Sequence, residues 1–181
     1  MLSELRMDLQ AYADHLDLHE LGFFRKFIEL IFRSTFVVVL LFRLSAGAWP
    51  GLRYGFRFLY KIAGWISGIQ IPWSTKIGGG LVLPHYGTIV VNRWAVVGQN
   101  CTLLHNCTIA AKGRGSDTGV ARVGSHVYVG AGACILGSVH LGDHCVIGAN
   151  SVVTKDVPSC CIVAGNPARV LKQLATTSNQ V

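Results

Sequence analysis

The sequence of 181 residues has few charged side chains, and acidic side chains are the scarcer kind. Only 14% of the residues are charged, and 9 aspartates and glutamates stand against 16 lysines and arginines, so the formal net charge is +7. A positive excess of this size indicates an anionic partner, which is a phosphate-bearing cofactor, an acidic glycan, nucleic acid or a lipid surface. The charge alone does not choose among these partners.

The sequence also lacks any pair of cysteines in the CxxC spacing, although it contains six cysteines. This absence leaves little support for a zinc site or for thioredoxin-like redox chemistry, and we expect no metal. Reduced thiols predict a cytoplasmic protein. No secretory signal is visible, because the first twenty or so residues are rich in acids and have no apolar core. These residues predict a short, solvated helix.

A long apolar run is the third feature that is missing. The run STFVVVLLF has only nine residues between Arg33 and Arg43, whereas a membrane-spanning helix needs about 20 apolar residues. Two basic, aromatic-rich helices are predicted instead, FFRKFIELIFRSTFVVVLLFRL and LRYGFRFLYKIAGWI. Such helices suit either a bilayer surface or packing against other subunits. We expect residues 21–66 to hold the protein peripherally on the inner face of the cytoplasmic membrane. With no groove-reading motif present, we expect no nucleic-acid partner.

The chain after about residue 70 is poor in aromatic residues and has an aliphatic residue at every sixth position. The clearest series is Val123, Val129, Ile135, Leu141, Ile147 and Val153. Repeats of six are typical of a β-solenoid, in which three hexapeptides form one triangular coil and the inward aliphatic side chains stack between coils. The period extends back to Ile71, with two extra residues placed around Ala95 and a longer excursion, KGRGSDTG, at residues 112–119.

The predicted fold is therefore mainly β, a parallel β-helix with an N-terminal α-helical segment. We divide the chain into three parts: a helical segment over residues 1–70, a β-helix domain over residues 71–170 with an external loop at 112–119, and a C-terminal tail over residues 171–181.

Several segments of the chain resemble a known family over roughly residues 70–173. They are LPHYGTIVVN, LLHNCTIAAKG, VYVGAGACILGSV, IGANSVVTKDVP and AGNPARV. They resemble the hexapeptide-repeat acyltransferases with a left-handed parallel β-helix, in the serine-acetyltransferase-like branch. Within that branch, the likeness is greatest to enzymes that O-acetylate bacterial exopolysaccharides and capsules, such as the colanic-acid acetyltransferases. The resemblance implies acetyl-CoA as co-substrate and a homotrimer with its active sites between subunits.

The same resemblance implies a catalytic histidine. His85, in LPHYG, stands at the position of the family's general base, and imidazole suits that role because it changes protonation near neutral pH. His105 follows twenty residues later. Since a coil has eighteen residues and the insertion adds two, we expect His105 one rung along the same wall, as a stacking group, a substrate-orienting group or the alternative base. The acceptor-binding residues are expected at Tyr86, Asn92 and Asn106.

For CoA, the resemblance implies a groove between neighbouring subunits. Small residues along the coils allow a ligand to approach the main chain closely, and two basic residues are placed to meet the phosphates. The small residues are Ala111, Gly130, Ala131, Gly148 and Ala149, and the basic residues are Lys155 and Arg169.

Three departures from serine acetyltransferase bear on the acceptor. That family has an aspartate immediately before its catalytic histidine, another fifteen residues earlier, and an Arg-His pair at the end of its external loop. This chain has Pro84, Gln70 and Gly119-Val120 at those positions. The charges that gather an amino acid are missing, and this absence favours a sugar hydroxyl as the acceptor.

The sequence thus predicts an acetyl-CoA-dependent O-acetyltransferase that acts on a bacterial capsular polysaccharide or exopolysaccharide, or on its lipid-linked precursor, by direct transfer. The alternatives are a serine O-acetyltransferase of cysteine biosynthesis and an inactive trimeric scaffold. A carbonic anhydrase on the same fold is disfavoured, because His140 and His144 do not complete its ligand spacing. The group that orients His85 stays open between a backbone carbonyl and an acid such as Asp14 or Asp17.

Overall fold

The computed structural model describes residues 1–33, 35–113 and 119–174, in which four helices precede all the strands. The helices are α1 (Leu2–His15), α2 (Phe23–Arg33), α3 (Phe36–Gly47) and α4 (Pro50–Ser67). None of the helices in these ranges combines the length and the apolar character needed to cross a bilayer.

The segment predicted as one basic helix forms two, α2 and α3, and Thr35 lies where α3 begins. The break buries Thr35 and lets its hydroxyl donate a hydrogen bond to the carbonyl of Leu83. Helix α4 begins at Pro50, whose fixed φ suits a first helical position. It ends at Gly68, which has a φ of 77° and donates its N–H to the carbonyl of Gly64.

The strands pair into three sheets, and the chain visits the sheets in rotation. The described pairs are all parallel except the last, between β13 and β14. The first sheet contains β1 (Ile69–Gln70), β3 (Ile89–Val91), β6 (Thr108–Ala110), β9 (Cys134–Leu136) and β12 (Val152–Val153). The second contains β2 (Lys76–Ile77), β4 (Val96–Val97), β7 (Arg122–Val123) and β10 (His140–Leu141). The third contains β5 (Thr102–Leu103), β8 (Tyr128–Val129), β11 (Val146–Ile147), β13 (Cys161–Gly165) and β14 (Ala168–Gln173).

Burial and strand register confirm the six-residue period. Leu103 pairs with Val129, and Val129 pairs with Ile147, so each inward side chain lies on its counterpart one rung away. No residue of the inward series is more than 6% exposed. Burying each such side chain contributes about 1.5–3 kcal/mol, so the stack contributes strongly to stability. The series is Ile71, Ile77, Leu83, Val91, Val97, Leu103, Ile109, Val123, Val129, Ile135, Leu141, Ile147 and Val153.

The two residues that interrupt the six-residue period are not around Ala95, where they are predicted. Ile69 pairs with Ile89, twenty residues later, but Val91 pairs with Ile109, eighteen residues later. Val82 also pairs with a residue twenty positions later, Thr102. The insertion therefore falls between Leu83 and Val91, in the segment that contains His85, and not around Ala95.

Two predicted boundaries fall partly outside the described residues. Of the external loop at 112–119, residues 114–118 are not described. The predicted C-terminal tail over 171–181 begins inside β14, which runs to Gln173, and residues 175–181 are not described.

All six cysteines, each of which lies in the described residues, are free thiols. Three of them, Cys101, Cys107 and Cys145, are fully buried in the inner wall, where a small apolar side chain is required. Burial raises the pKa of the Cys101 thiol to about 11 and that of Cys107 to about 12. Both thiols are consequently neutral packing groups near pH 7.

The inward stack is tested by paired substitutions in β6. Ile109→Ala removes a fully buried side chain, and we expect the free energy of unfolding to fall by about 2–5 kcal/mol. Thr108→Ala, on the outward side of the same strand, serves as control and should cost less than about 1 kcal/mol. Urea denaturation followed by circular dichroism measures both. Equal losses in the two variants would contradict the inward assignment.

Candidate active site

His85 and His105 lie together at the corner between the third and the first sheet. Val82 pairs with Thr102, so the two histidines, each three residues further on, occupy successive rungs. Their ring centroids are 5.7 Å apart in an edge-to-face arrangement. The predicted placement of His105 one rung along the same wall is confirmed.

Gly87 makes this arrangement possible. A Cβ at Gly87 would come within 2.9 Å of the Cβ of His105, and the φ of Gly87 is 136°, a value that side chains with a Cβ rarely adopt. The N–H of Gly87 donates to the carbonyl of Ser67 at the end of α4. The extra residues at this corner thus pack on His105 and are tied to the helical segment.

The two imidazoles have unused hydrogen-bonding capacity. His85 is exposed, and no described residue makes a hydrogen bond to its ring. His105 is half-buried, and its Nδ1 atom is buried without a hydrogen-bond partner among the described residues. Since buried polar atoms normally have a partner, this nitrogen marks a point where a bound polar group would gain a hydrogen bond.

The segment that leads to His85 is held by α1. The prediction that α1 is solvated is wrong. Tyr12 is fully buried, and its hydroxyl accepts a hydrogen bond from the N–H of Leu83 at 3.0 Å. The hydroxyl of Thr35 lies 2.9 Å from that of Tyr12 and donates to the carbonyl of Leu83. Both backbone groups of a residue two positions before His85 are therefore fixed by side chains of the helical segment.

Asp14 and Asp17, the acids expected as candidate partners of His85, are exposed and lie beside His19 instead. The distances from His19 are 3.6 Å to Asp14 and 3.8 Å to Asp17. The acid of α1 that reaches the strands is Asp8.

The Asp8 carboxylate accepts from Nε of Arg43 at 2.8 Å and from the N–H groups of Gly80 and Leu81 at 2.8 and 2.9 Å. The Arg43 guanidinium also donates to the carbonyls of Ile77 and Gly78. Sequence reasoning missed this pair. In the sequence, the pair is indicated by Arg43, which is a charged residue within the apolar helix α3. A buried charge needs a partner.

The predicted cofactor residues divide between two corners. Ala131 and Ala149 follow Val129 and Ile147 by two residues, as His105 follows Leu103, so they continue the corner of the histidines. Main-chain bonds run along this corner, from Gly132 N–H to the His105 carbonyl and from Asn150 N–H to the Ala131 carbonyl. Together these residues form a column of small side chains that leads away from His105.

Ala111 and Lys155 lie at the other end of the first sheet, after β6 and β12. Asn92 follows β3 at that same corner, and its side chain accepts from the N–H of Trp94. Of the predicted acceptor-binding residues, Tyr86 and Asn106 adjoin the histidines and Asn92 does not. Arg169 pairs with Ala164 in the terminal hairpin.

Gly130 and Gly148 have a packing role that explains their identity. A Cβ at Gly130 would lie 2.7 Å from the backbone of the next rung, and one at Gly148 would lie 2.8 Å from the Cβ of Ala164. Glycine is therefore required at both positions by the spacing of the rungs, whether or not a ligand approaches.

Comparison with known proteins places this site in a class. Residues 121–155 match the model of the bacterial transferase hexapeptide family (six repeats). A serine acetyltransferase of Helicobacter pylori is 35% identical over 115 residues, which are 64% of this chain and 67% of that protein. The structure of a serine acetyltransferase from Brucella abortus in complex with coenzyme A has a TM-score of 0.77 and is 31% identical, over 96% of this chain and 68% of that one. A complex of the Neisseria gonorrhoeae serine acetyltransferase with serine is 28% identical, with a TM-score of 0.75, over 94% of this chain and 68% of that one.

The fold and the histidine corner are those of a hexapeptide-repeat transferase. Within this class, the chain belongs to the serine acetyltransferase family. It spans 25% to 52% of the length of three other serine acetyltransferases, from Arabidopsis thaliana and Synechococcus elongatus, that it matches.

The prediction of a capsular or exopolysaccharide acceptor is wrong, because all of these relatives are serine acetyltransferases. It depended on a few substituted positions, including Gly119 and Val120. In the structure, a Cβ at Gly119 would lie 2.4 Å from the Cβ of Ser138, and Val120 packs against the core. These two residues therefore have packing roles, and their lack of charge does not identify a different acceptor.

Tyr12→Phe tests whether α1 positions the histidine corner. The substitution leaves the N–H of Leu83 without its acceptor, and we expect the free energy of unfolding to fall by about 1–3 kcal/mol. We also expect the NMR signals of the His85 and His105 rings to shift. Tyr60→Phe is the matched control, because it also removes a buried hydroxyl that is hydrogen-bonded to the main chain. The hydroxyl of Tyr60 donates to the carbonyl of Ile71 at 2.6 Å. If both variants left the two histidine signals unchanged, α1 would have no positioning role.

Proposed function

We propose that this chain transfers the acetyl group of acetyl-CoA to the side-chain hydroxyl of L-serine, with His85 as the general base. The observation that carries the proposal is the pair of adjacent histidines, 5.7 Å apart, on the corner of a chain that belongs to the serine acetyltransferase family. The relative from N. gonorrhoeae was crystallised with serine, and the relative from B. abortus with coenzyme A.

In the proposed reaction, His85 removes the hydroxyl proton as the serine oxygen forms a bond to the acetyl carbon. Acetyl-CoA supplies the acetyl group as a thioester, and the carbon–sulfur bond breaks as the ester forms. The imidazolium of His85 then returns the proton to the departing sulfur, so that O-acetylserine and CoA are the products. His105, whose Nδ1 lacks a partner among the described residues, would hold a polar group of the acceptor beside His85.

The small residues after His105 fit a pantetheine arm. Ala131 and Ala149 leave this corner without bulky side chains, at about 4.8 Å per rung. Arg169, in the terminal hairpin, and Lys155 are exposed and are proposed to contact the phosphates of CoA.

Lys155 and Ala111 lie at the opposite corner of the first sheet from Ala131 and Ala149. One groove can use both corners if they come from neighbouring copies. A homotrimer of left-handed β-helices, with its sites between subunits, is therefore part of the proposal.

The reaction is tested by following thiol release from acetyl-CoA in the presence of L-serine. Wild-type protein should release CoA in a serine-dependent way, and His85→Asn should lower kcat by about 10²–10⁴-fold, the usual contribution of a general base. His126→Asn is the matched control, because His126 also stacks on a second histidine, His144, at a ring distance of 4.6 Å. This control should keep the wild-type rate. Serine-dependent release at an unchanged rate in His85→Asn would refute the assigned base, and release that ignores L-serine would refute the assigned acceptor.

The uncharged pair Gly119-Val120 predicts weak recognition of the serine carboxylate. An ion pair to a substrate carboxylate contributes about 1.5–3 kcal/mol when it is hydrogen-bonded, so its loss raises KM by roughly ten- to a hundredfold. We accordingly expect serinamide, which lacks the carboxylate, to be acetylated with a KM close to that of L-serine. A marked preference for L-serine in the same thiol-release assay would show that another residue of the chain holds the carboxylate.

A further inference from the structure

The outward side of α4 is apolar, although nothing in the described chain covers it. Six large side chains of this helix are between 49% and 81% exposed: Leu52, Tyr54, Phe58, Leu59, Trp65 and Ile66. Leu52, Leu59 and Ile66 are spaced by seven residues and so lie in one line along the helix. We call these six residues the outer face of α4. The opposite side contains Tyr60 and Ser67, which are buried against the protein. Contiguous exposed apolar surface of this kind marks a binding surface.

A row of cations borders the outer face. Arg53, Arg57 and Lys61 follow one another at four-residue intervals, so they lie along one edge of α4. The helix contains no acidic residue, and Glu29 is the sole acid among residues 21–76. The edge therefore attracts anions along its whole length.

Beyond this edge, α4 and the neighbouring strands form a groove of about 790 Å³ that continues the same chemistry. Arg57 lies over the ring of Trp73 at 4.7 Å, and Arg93 lies over the ring of Trp94 at 4.9 Å. Lys61 lies 5.7 Å from the ring of Trp65. Each of these three cations is therefore paired with an indole ring. An indole favours the boundary between apolar and polar phases.

We propose that the outer face of α4 docks on the surface of an anionic phospholipid bilayer. The six apolar side chains enter the boundary between headgroups and acyl chains, while Arg57, Lys61 and Arg93 contact lipid phosphates. An apolar stripe, a basic border and tryptophans at the junction are the features by which a helix lies in a membrane interface. The face extends over about 21 Å from Leu52 to Ile66, which suits a helix lying flat on the surface.

The charge of α4 favours an anionic bilayer over a second copy of the chain as the partner of the outer face. Packing α4 on another α4 would bring two rows of arginine and lysine together with no acid in either helix. An anionic surface neutralises the same row, and each cation near such a surface strengthens binding by about fivefold.

Vesicle co-sedimentation of the full chain tests the proposal. We expect binding to vesicles that contain phosphatidylglycerol, and much weaker binding to pure phosphatidylcholine vesicles or at high salt. Phe58→Ser with Ile66→Ser should weaken binding at least about tenfold, and Lys61→Gln with Arg93→Gln should weaken it roughly 30-fold. The matched control is Leu171→Ser with Lys172→Gln, which alters an equally exposed apolar and basic pair in β14 and should leave binding unchanged.

A second measurement uses the unaltered protein. Because Trp65 and Trp94 are more than 70% exposed, their fluorescence should shift to the blue on binding and be quenched by lipids brominated on the acyl chain. Absence of binding to anionic vesicles would overturn the proposal, as would equal losses in the face and control variants. If Phe58→Ser with Ile66→Ser changed the mass of the assembly in solution and no vesicle bound, the face would be an interface between copies.

Discussion

The parallel register between successive rungs is the constraint on which the rest of this molecule depends. Each inward aliphatic side chain lies on its counterpart one rung away, as Leu103 lies on Val129 and Val129 on Ile147. Residues at equal offsets from the inward positions therefore form columns along the corners. The histidine corner is one such column, in which His85, His105, Ala131 and Ala149 each follow an inward residue by two positions. A one-residue slip would turn the inward side chains out of the core and disperse this column.

The helical segment is fastened to the first rungs by a satisfied polar network. A buried ion pair is stabilising only where hydrogen bonds compensate for the loss of water, and Asp8 and Arg43 meet this condition with four backbone groups between them. Tyr12 and Thr35 extend the attachment to Leu83, close to His85. Helix α4 is held separately, through its buried residues Tyr60 and Ser67, and its apolar side faces outwards.

The prediction of a polysaccharide acceptor is wrong because single substituted positions do not define an acceptor apart from their surroundings. The absence of charge at Gly119-Val120 does not mark a change of substrate, because the space beside Gly119 is filled by Ser138. Likeness to serine acetyltransferases extends over 94% to 96% of the chain in the solved structures. The substitutions at Gln70, Pro84 and Gly119-Val120 are consistent with a different way of holding the same acceptor.

The repeating part of the protein could be predicted from the sequence: most of the inward series between Ile71 and Val153, the buried cysteines, and the neighbouring rungs of His85 and His105. A six-residue period is a local pattern, and such a pattern is sufficient to predict which side chains of a rung point inwards. The position of the insertion, between Leu83 and Val91, follows only from the pairing of the folded strands. The same is true of the contacts of Asp8 with Arg43 and of Tyr12 with Leu83, 71 residues away. No periodicity encodes such contacts, because they depend on how the helices fold back onto the first rungs.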